Sequence, residues 1–465
     1  MSEIATQNEW LYEQYRKKGT TIDHKEVRRM NRAFTILGKI TSAAFMALCI
    51  FAIWQFTQRG VQIRLLGGLM FFYLIIKEIF ALCYWPCKKK LTQDYKVTIL
   101  ITCYNEDPTS VTTILENIMA LDYPVHEILF LDDGSPDPLA YKVAKSFADA
   151  HKDDTDSPDF HIVRFEENRG KRAVMVDGFK MAEGDYIFLL DSDSEILPNA
   201  LTELLRPFED GKTTSCVGHI GILNKNENFL TKLQAITYFC AFQSGRSAQS
   251  RTGNVVVCSG AFSIHKKDFI LENLNEFSND TFMGIHFSSG DDRALTTFSK
   301  MCGGKTRYQN TAYCETLVPN TWKKFISQRR RWQRSAYAGS LKTVRNIFPK
   351  KIFFLFWVFA EAYLWLIAII IFILLVLARG FYFDLVDVVV YYWIVMYKYN
   401  SFYMLYRPFR FLFMPFFTLI YGFSLVYTRI HAAITITDDG WGTRDMIEKR
   451  NEGLQLGEEA GAKSP

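Results

Sequence analysis

The 465-residue chain predicts an α/β domain with a mostly parallel sheet, inserted between α-helical transmembrane segments. Three observations predict it. Apolar residues gather into runs of bilayer-spanning length near both ends, the stretch between them alternates short strands with amphipathic helices, and acidic residues recur where those strands stop. With 49% hydrophobic and 15% aromatic residues the chain is neither disordered nor collagen-like, and its length excludes a small disulfide-stapled fold. A mean hydropathy of −0.01 is high for a wholly soluble enzyme, yet 22% charged residues is too many for a chain lying wholly in the membrane. Two parts are therefore expected.

The apolar runs are residues 34–56 and 62–85, each of about 20 residues, then 352–379, and then 382–405 and 410–432. Asp384, Asp387, Lys398, Arg407 and Arg410 interrupt the last two, and the Arg407–Arg410 cluster suggests a break between them. Lys17, Lys18, Lys25, Arg28, Arg29 and Arg32 precede the first run and no small-residue cleavage site follows it, so an uncleaved chain with a cytoplasmic N-terminus is expected. Two crossings return the chain at Cys87-Lys88-Lys89-Lys90, which makes the middle domain cytoplasmic and the protein a multi-pass protein of the plasma membrane. The nine Cys lack metal-ligand spacing and fit a reducing compartment. The net charge of +5 is small and gathers beside the apolar runs, which points to membrane lipids and not to nucleic acid. Lys77, Glu78 and Glu361 fall inside apolar runs, where a lipid-facing charge costs at least ~2.5 kcal/mol. They should face protein, either pairing within the bundle or lining a wet export path. The resulting segments are 1–33, 34–85, 92–318, 319–348, 351–432 and 433–465.

Within the middle domain, strand 96–102 ends in Cys103-Tyr104-Asn105-Glu106, with a helix over 109–121. Strand 127–131 ends in Asp132-Asp133-Gly134-Ser135, followed by a helix over 138–150 and a strand at 161–165. Asn168-Arg169-Gly170-Lys171 opens a helix to 182, and strand 186–190 runs into Asp191-Ser192-Asp193. Alone, Asp-Asp-Gly is usually a turn and Asp-x-Asp is common by chance. Turn chemistry does not account for their joint position at the ligand-binding edge of a parallel sheet. Paired carboxylates there suit Mg²⁺ or Mn²⁺ clamped on a diphosphate, and Lys171 at a helix start adds a cation for the same phosphates. A nucleotide-diphosphate donor is the natural ligand. No Walker A motif and no G-x-G-x-x-G after a strand is found, which excludes the ordinary NTPase and dinucleotide readings.

Further on come Cys258-Ser259-Gly260, Gly290-Asp291-Asp292-Arg293 and Gln328-Arg329-Arg330-Arg331-Trp332. In this order the motifs resemble those of the processive, membrane-embedded inverting glycosyltransferases of family 2, the hyaluronan, chitin and cellulose synthases. The resemblance spans residues 30–445 and implies a GT-A nucleotide-sugar fold, UDP-sugar donors and a growing polysaccharide acceptor. It also implies roles. Thr102, Tyr104, Glu106 and Asp132 or Asp133 would hold the uridine, Lys171 the donor, and Asp191 and Asp193 the ribose–diphosphate and the metal, with Asp193 the more direct ligand. Asp292, beside Asp291, would be the catalytic base. Gln328, Arg331 and Trp332 would bind the acceptor terminus and leaving diphosphate, and Cys258 to Gly260 the acceptor at the channel entrance. The alternative for Gln328–Trp332 is a basic helix on lipid headgroups, and both roles are compatible.

Trp441-Gly442-Thr443-Arg444 matches the W-G-T-R of a gating loop in hyaluronan synthases, and Gly290-Asp291-Asp292-Arg293 has their form. The unusually basic Gln328–Trp332 stretch and Ser259-Gly260-Ala261, in place of Ser-Gly-Pro, depart from it. A cytoplasmic Trp441–Arg444 requires an even number of crossings, whereas five apolar runs are visible. Hyaluronan is the expected product. A chitin-type or other capsule polysaccharide, a non-processive transfer to polyprenyl phosphate and a non-catalytic transporter remain alternatives.

Overall fold

The computed structural model describes residues 11–14, 22–31, 35–58, 65–155, 157–282, 285–286, 290–348, 351–364, 366–367, 370, 377 and 401–436. Its centre is an eight-stranded sheet in the order β3-β2-β1-β4-β7-β6-β10-β5. The strands are β1 (Val97–Cys103), β2 (Glu127–Asp132), β3 (Asp159–Arg164), β4 (Tyr186–Asp191), β5 (Glu195–Ile196), β6 (Thr213–Ile222) and β7 (Phe262–Lys266). A two-stranded hairpin, β8 (Thr281–Phe282) with β9 (Ile285–His286), lies outside this sheet, and β10 (Lys305–Thr316) completes it. The run β3-β2-β1-β4 is parallel, as its β-α-β alternation implies. β7 is antiparallel to β4 and β6, and β5 to β10, so the sheet is mixed at its far half.

Why these segments fold this way follows from period-two burial. β1 turns Val97, Ile99 and Ile101 toward Val111, Ile114 and Ile118 of helix Pro108–Met119. It turns Leu100 the other way, toward Val174, Met175 and Phe179 of helix Lys171–Met181. Both faces of the central strands are covered, which is why they read as unbroken apolar runs. Asp107 caps the first of these helices, its side chain accepting from the Ser110 amide, with Pro108 at the first helical position.

Residues 319–348 contain one long helix, Trp322–Ile347, which packs on helix Asp291–Met301 and on helix Met414–Ile434. Gly290 and Gly339 make the first contact possible. A Cβ on Gly290 would lie 2.0 Å from Ser335 Oγ, and one on Gly339 2.5 Å from Arg293 Cδ.

Of the apolar runs, 34–56 forms helix Ile36–Gln58, 62–85 forms Leu65–Leu82, and 410–432 forms Met414–Ile434. Among the described residues only Met414–Ile434 is long and apolar enough by itself to cross a membrane; His24–Asn31 with Ile36–Phe51 passes as a pair bent by 54°. Helix Ile352–Phe359 continues into a π-helical turn, Ala360–Leu364, and most of 365–400, on which the parity of crossings depends, lies outside the described residues. The break expected near Arg407 is present, with Pro408 opening a separate short helix. Charges in the runs face protein: Glu78 accepts from Ser42 and, at 2.8 Å, from Ser401, and Glu361 meets Gln249 and, at 3.5 Å, Arg246.

Gly290 has φ +92, a conformation that strains any residue with a Cβ. Gly290→Ala should therefore cost about 1–3 kcal/mol of stability. Thermal unfolding in detergent should show Gly290→Ala/Ser335→Ala recovering part of that loss, because it removes the clash and leaves the strain.

Candidate active site

Strand register brings the expected residues together. Thr102 is paired with Asp191 and Cys103 with Asp132, so the carboxyl ends of β1, β2 and β4 share one edge. Asn105 turns there with φ 55, a left-handed conformation Asn tolerates, and its amide donates to Ser135 Oγ at 2.8 Å. Ser135 donates in turn to Asp132, whose other oxygen accepts from Arg164 Nε at 3.1 Å. The Tyr104-Asn105-Glu106 turn is thus stapled to the Asp132–Ser135 turn. Asp132 is fully buried in this staple. Asp133 accepts from the Arg169 and Gly170 amides at 2.7 and 2.9 Å, which holds the loop that delivers Lys171.

Lys171 Nζ lies 2.6 Å from Asp191 Oδ1. Burial works against its charge, but Asp191, Asp291 and Asp193 outweigh it and raise its pKa. Burial and then the neighbouring Asp191 push Asp193 up to about 6, although Thr316 donates to it at 3.1 Å. Burial, Asp193 and Asp191 push Glu106 up to about 7. Among the described residues no three His, Cys, Asp or Glu are grouped to hold a metal by protein ligands alone. The chemistry is that of an under-neutralised carboxylate set, which suits a cation completed by phosphate and water.

A second acid pair stands at the start of helix Asp291–Met301. Asp291 is committed to Arg172, Nε to Oδ1 at 2.6 Å, whereas Asp292, also half-buried, accepts from the Arg293 amide at 2.8 Å. Burial raises the Asp292 pKa, and Asp291 adds to this against Arg293 and Arg246. Burial lowers the Arg331 pKa against the pull of Asp291, Asp191 and Asp292, which places one guanidinium within electrostatic reach of both sides. Ser259 and Gly260 are half-buried, with open space where a Gly260 Cβ would stand. Cys258, by contrast, is fully buried, and its amide donates to Thr296 Oγ1 at 2.9 Å. Gln328 Oε1 is buried with no hydrogen-bond partner among the described residues, and Trp332 is 39% exposed. Trp441 and Arg444 lie outside the described residues.

The sequence reading missed Arg329. It is not on headgroups but 8% exposed, its guanidinium 4.4 Å from the Trp332 ring centroid and 5.2, 5.8 and 5.9 Å from those of Phe325, Tyr238 and Tyr421. The local signal was present, since Phe325, Arg329 and Trp332 share one helix face at i, i+4 and i+7. Tyr238 and Tyr421 come from distant segments.

This is the fold and site of a glycosyltransferase of GT-A-like architecture. The mannosyltransferase PcManGT from Pyrobaculum calidifontis, solved with GDP-Man and Mn²⁺, shares the fold with a TM-score of 0.54 at 17% identity, covering 86% of this chain and 99% of that one. "Glycosyl transferase family 2" matches residues 98–273, and "Glycosyl transferase family group 2" matches 186–434. Hyaluronan synthase of Streptococcus pyogenes serotype M1 is 35% identical over 384 residues, 82% of this chain and 90% of that protein. An N-acetylglucosaminyltransferase of Mesorhizobium japonicum is 28% identical over 246 residues, 53% of this chain and 57% of that protein. The chain belongs to glycosyl transferase family group 2, as a hyaluronan-synthase-like member.

Arg329→Ala should destabilise the protein by about 2–4 kcal/mol through the cavity it leaves among the rings. Arg329→Met, which keeps the packing, should stay within about 1 kcal/mol of the parent. Thermal unfolding of both variants distinguishes packing from charge.

Proposed function

We propose that this chain is a processive, inverting glycosyltransferase that polymerises UDP-sugars at the cytoplasmic face of the plasma membrane. The product is hyaluronan, from UDP-GlcNAc and UDP-GlcA, and it leaves through the protein's own helices, set as a multi-pass bundle among membrane lipids. The carrying observation is that Lys171 pairs with Asp191 and that Arg331 stands within electrostatic reach of Asp191, Asp291 and Asp292. This chain matches 90% of the length of the Streptococcus pyogenes hyaluronan synthase.

Thr102, Tyr104 and Glu106, on the turn stapled by Asp132, border the uridine, and Asp133 sets the loop carrying Lys171. Asp193 and Asp191 would hold Mg²⁺ or Mn²⁺, and such an ion would neutralise charge on the diphosphate. Asp292 accepts the proton of the acceptor hydroxyl as its oxygen attacks the anomeric carbon. The bond from that carbon to the UDP oxygen breaks, and its electron pair leaves with the diphosphate. Lys171 and Arg331 stabilise the growing charge there. Trp332 offers a ring face to the acceptor sugar, beside Gln328, Ser259 and Gly260. Cys258 shapes the pocket from behind, and Arg293 packs the base helix against Gly339. By their match to the W-G-T-R of hyaluronan synthases, Trp441 and Arg444 would bind the diphosphate. A chitin-like product from UDP-GlcNAc alone is the second reading, favoured by the 28% identity to the N-acetylglucosaminyltransferase.

UDP release by the purified protein with Mg²⁺ or Mn²⁺ should require both UDP-GlcNAc and UDP-GlcA and yield a polymer size distribution. Turnover with UDP-GlcNAc alone selects chitin, and one lipid-linked sugar refutes processivity. Asp292→Asn should lower turnover about 10²–10⁴-fold while UDP binding stays close to that of the parent.

The cation should depend on pH with a defined sign. Glu106 and Asp193, raised to about 7 and about 6, gain protons as pH falls through those values and then compete with the ion. Half-saturating Mn²⁺ should rise as pH drops below neutral, at most about tenfold per unit for each proton displaced. A Mn²⁺ titration that is flat from about pH 8 to about 5.5 would contradict this reading.

A further inference from the structure

Two successive cations on one helix serve opposite sides of the reaction centre. Lys171 reaches Asp191 on the donor side, whereas Arg172 sends Nε to Asp291 at 2.6 Å and Nη1 to Asp280 at 3.0 Å. Asp280 pairs in turn with Lys342 of helix Trp322–Ile347, which also carries Gln328, Arg331 and Trp332. The side chains of Arg172, Asp291 and Asp280 are 5%, 11% and 12% exposed, so this is an interior network and not a surface pair. The guanidinium also stands 5.1 Å from the Phe277 ring centroid, which limits its tilt. Buried ion pairs are poor stabilisers compared with apolar packing. What this one does is join the donor helix, the base helix and the acceptor helix through one planar fork.

We propose that Arg172 is a positioning residue of the transfer reaction, clamping Asp291 and Asp280 so that Asp292 keeps its place relative to Lys171 and is shielded from the charge of Asp291. The inference rests on the reading of Asp292 as the base. Asp292 is faced by Asp291 and Arg293 of its own helix, Arg246 of the Ala241–Arg246 turn, Cys258 of the loop before β7, and Arg331 of helix Trp322–Ile347. Of these, only Asp291 is a carboxylate, and Arg172 is the cation bound to it. Asp291 already raises Asp292 with Arg172 in place, and without Arg172 its charge acts unopposed, so the Asp292 pKa rises further. The base is then protonated at a higher pH, and the acid limb of kcat/KM moves upward.

The test uses the full-length protein, with UDP release read across pH and UDP binding measured by calorimetry. Arg172→Gln should move the acid limb up by about one pH unit and lower kcat at least about tenfold, with UDP affinity within about twofold. Arg172→Lys should restore part of kcat, since it keeps charge but loses the fork. Arg172→Gln/Asp291→Asn should return the limb to its original position while kcat stays low, because shielding is no longer needed but the clamp is gone. This double variant leaves no buried unpaired charge, so it carries the test if the single variant does not fold. An unmoved limb in folded Arg172→Gln, or a limb still raised in the double variant, overturns the proposal. An Asp292→Asn protein that keeps full turnover instead overturns the reading of the base, and the two failures are told apart.

Discussion

Negative charge concentrated at the carboxyl edge of the sheet is the constraint to which the rest of this structure answers. Parallel register alone brings Asp132 and Asp191 to the ends of the two strands that flank β1, and Glu106, Asp193, Asp291 and Asp292 gather around them. Carboxylates taken out of water must be paired, protonated or hydrogen-bonded. All three solutions are in use. Asp132 and Asp133 are consumed by Ser135, Arg164 and the amides of Arg169 and Gly170, Asp191 and Asp291 by Lys171 and Arg172, and Glu106 and Asp193 are left with raised pKa values. The residual demand for positive charge is what makes the site receptive to a cation-bound diphosphate.

The cations that meet this demand come from elements that also connect the domain to its apolar helices. Helix Trp322–Ile347 comes within electrostatic reach of the acid edge through Arg331 and packs on Met414–Ile434, with Arg329 4.4 Å from the Trp332 ring centroid and 5.9 Å from that of Tyr421. A second tie lies at the N-terminal helix, where Glu26 binds Lys225 at 3.1 Å and Arg407 at 2.8 Å, and Lys225 binds Glu315 of β10 at 2.8 Å. At the Gly290–Ser335 and Gly339–Arg293 contacts the helix pair is closely packed.

Much of the fold was legible because it rests on local signals. β1, β2 and β4 each lie within one residue of the expected ranges, and the helix starts at Pro108 and Lys171 follow from a cap and a glycine turn. The antiparallel β7 and β5 were not legible, since strand direction depends on long connections that carry no periodic signal. Within the site, the motifs located the acid edge, and the resemblance they carry set Asp292 apart from Asp291 as the expected base. What the sequence did not carry is the physical difference between them, the pairing of Arg172 with Asp291. Cys258 was expected to line the acceptor site and is instead fully buried. Arg329, which the alternative reading of Gln328–Trp332 set on headgroups, is enclosed by rings.

The sequence by itself determined the elements and the chemistry available at their ends, because strand periodicity, caps and the order of acidic motifs are properties of neighbouring residues. Tertiary structure alone decided which carboxylate is spent on a cation. That choice depends on distances between Arg172, Asp280, Asp291 and Lys342, side chains far apart in the chain, and on burial that removes the water which would otherwise make them alike.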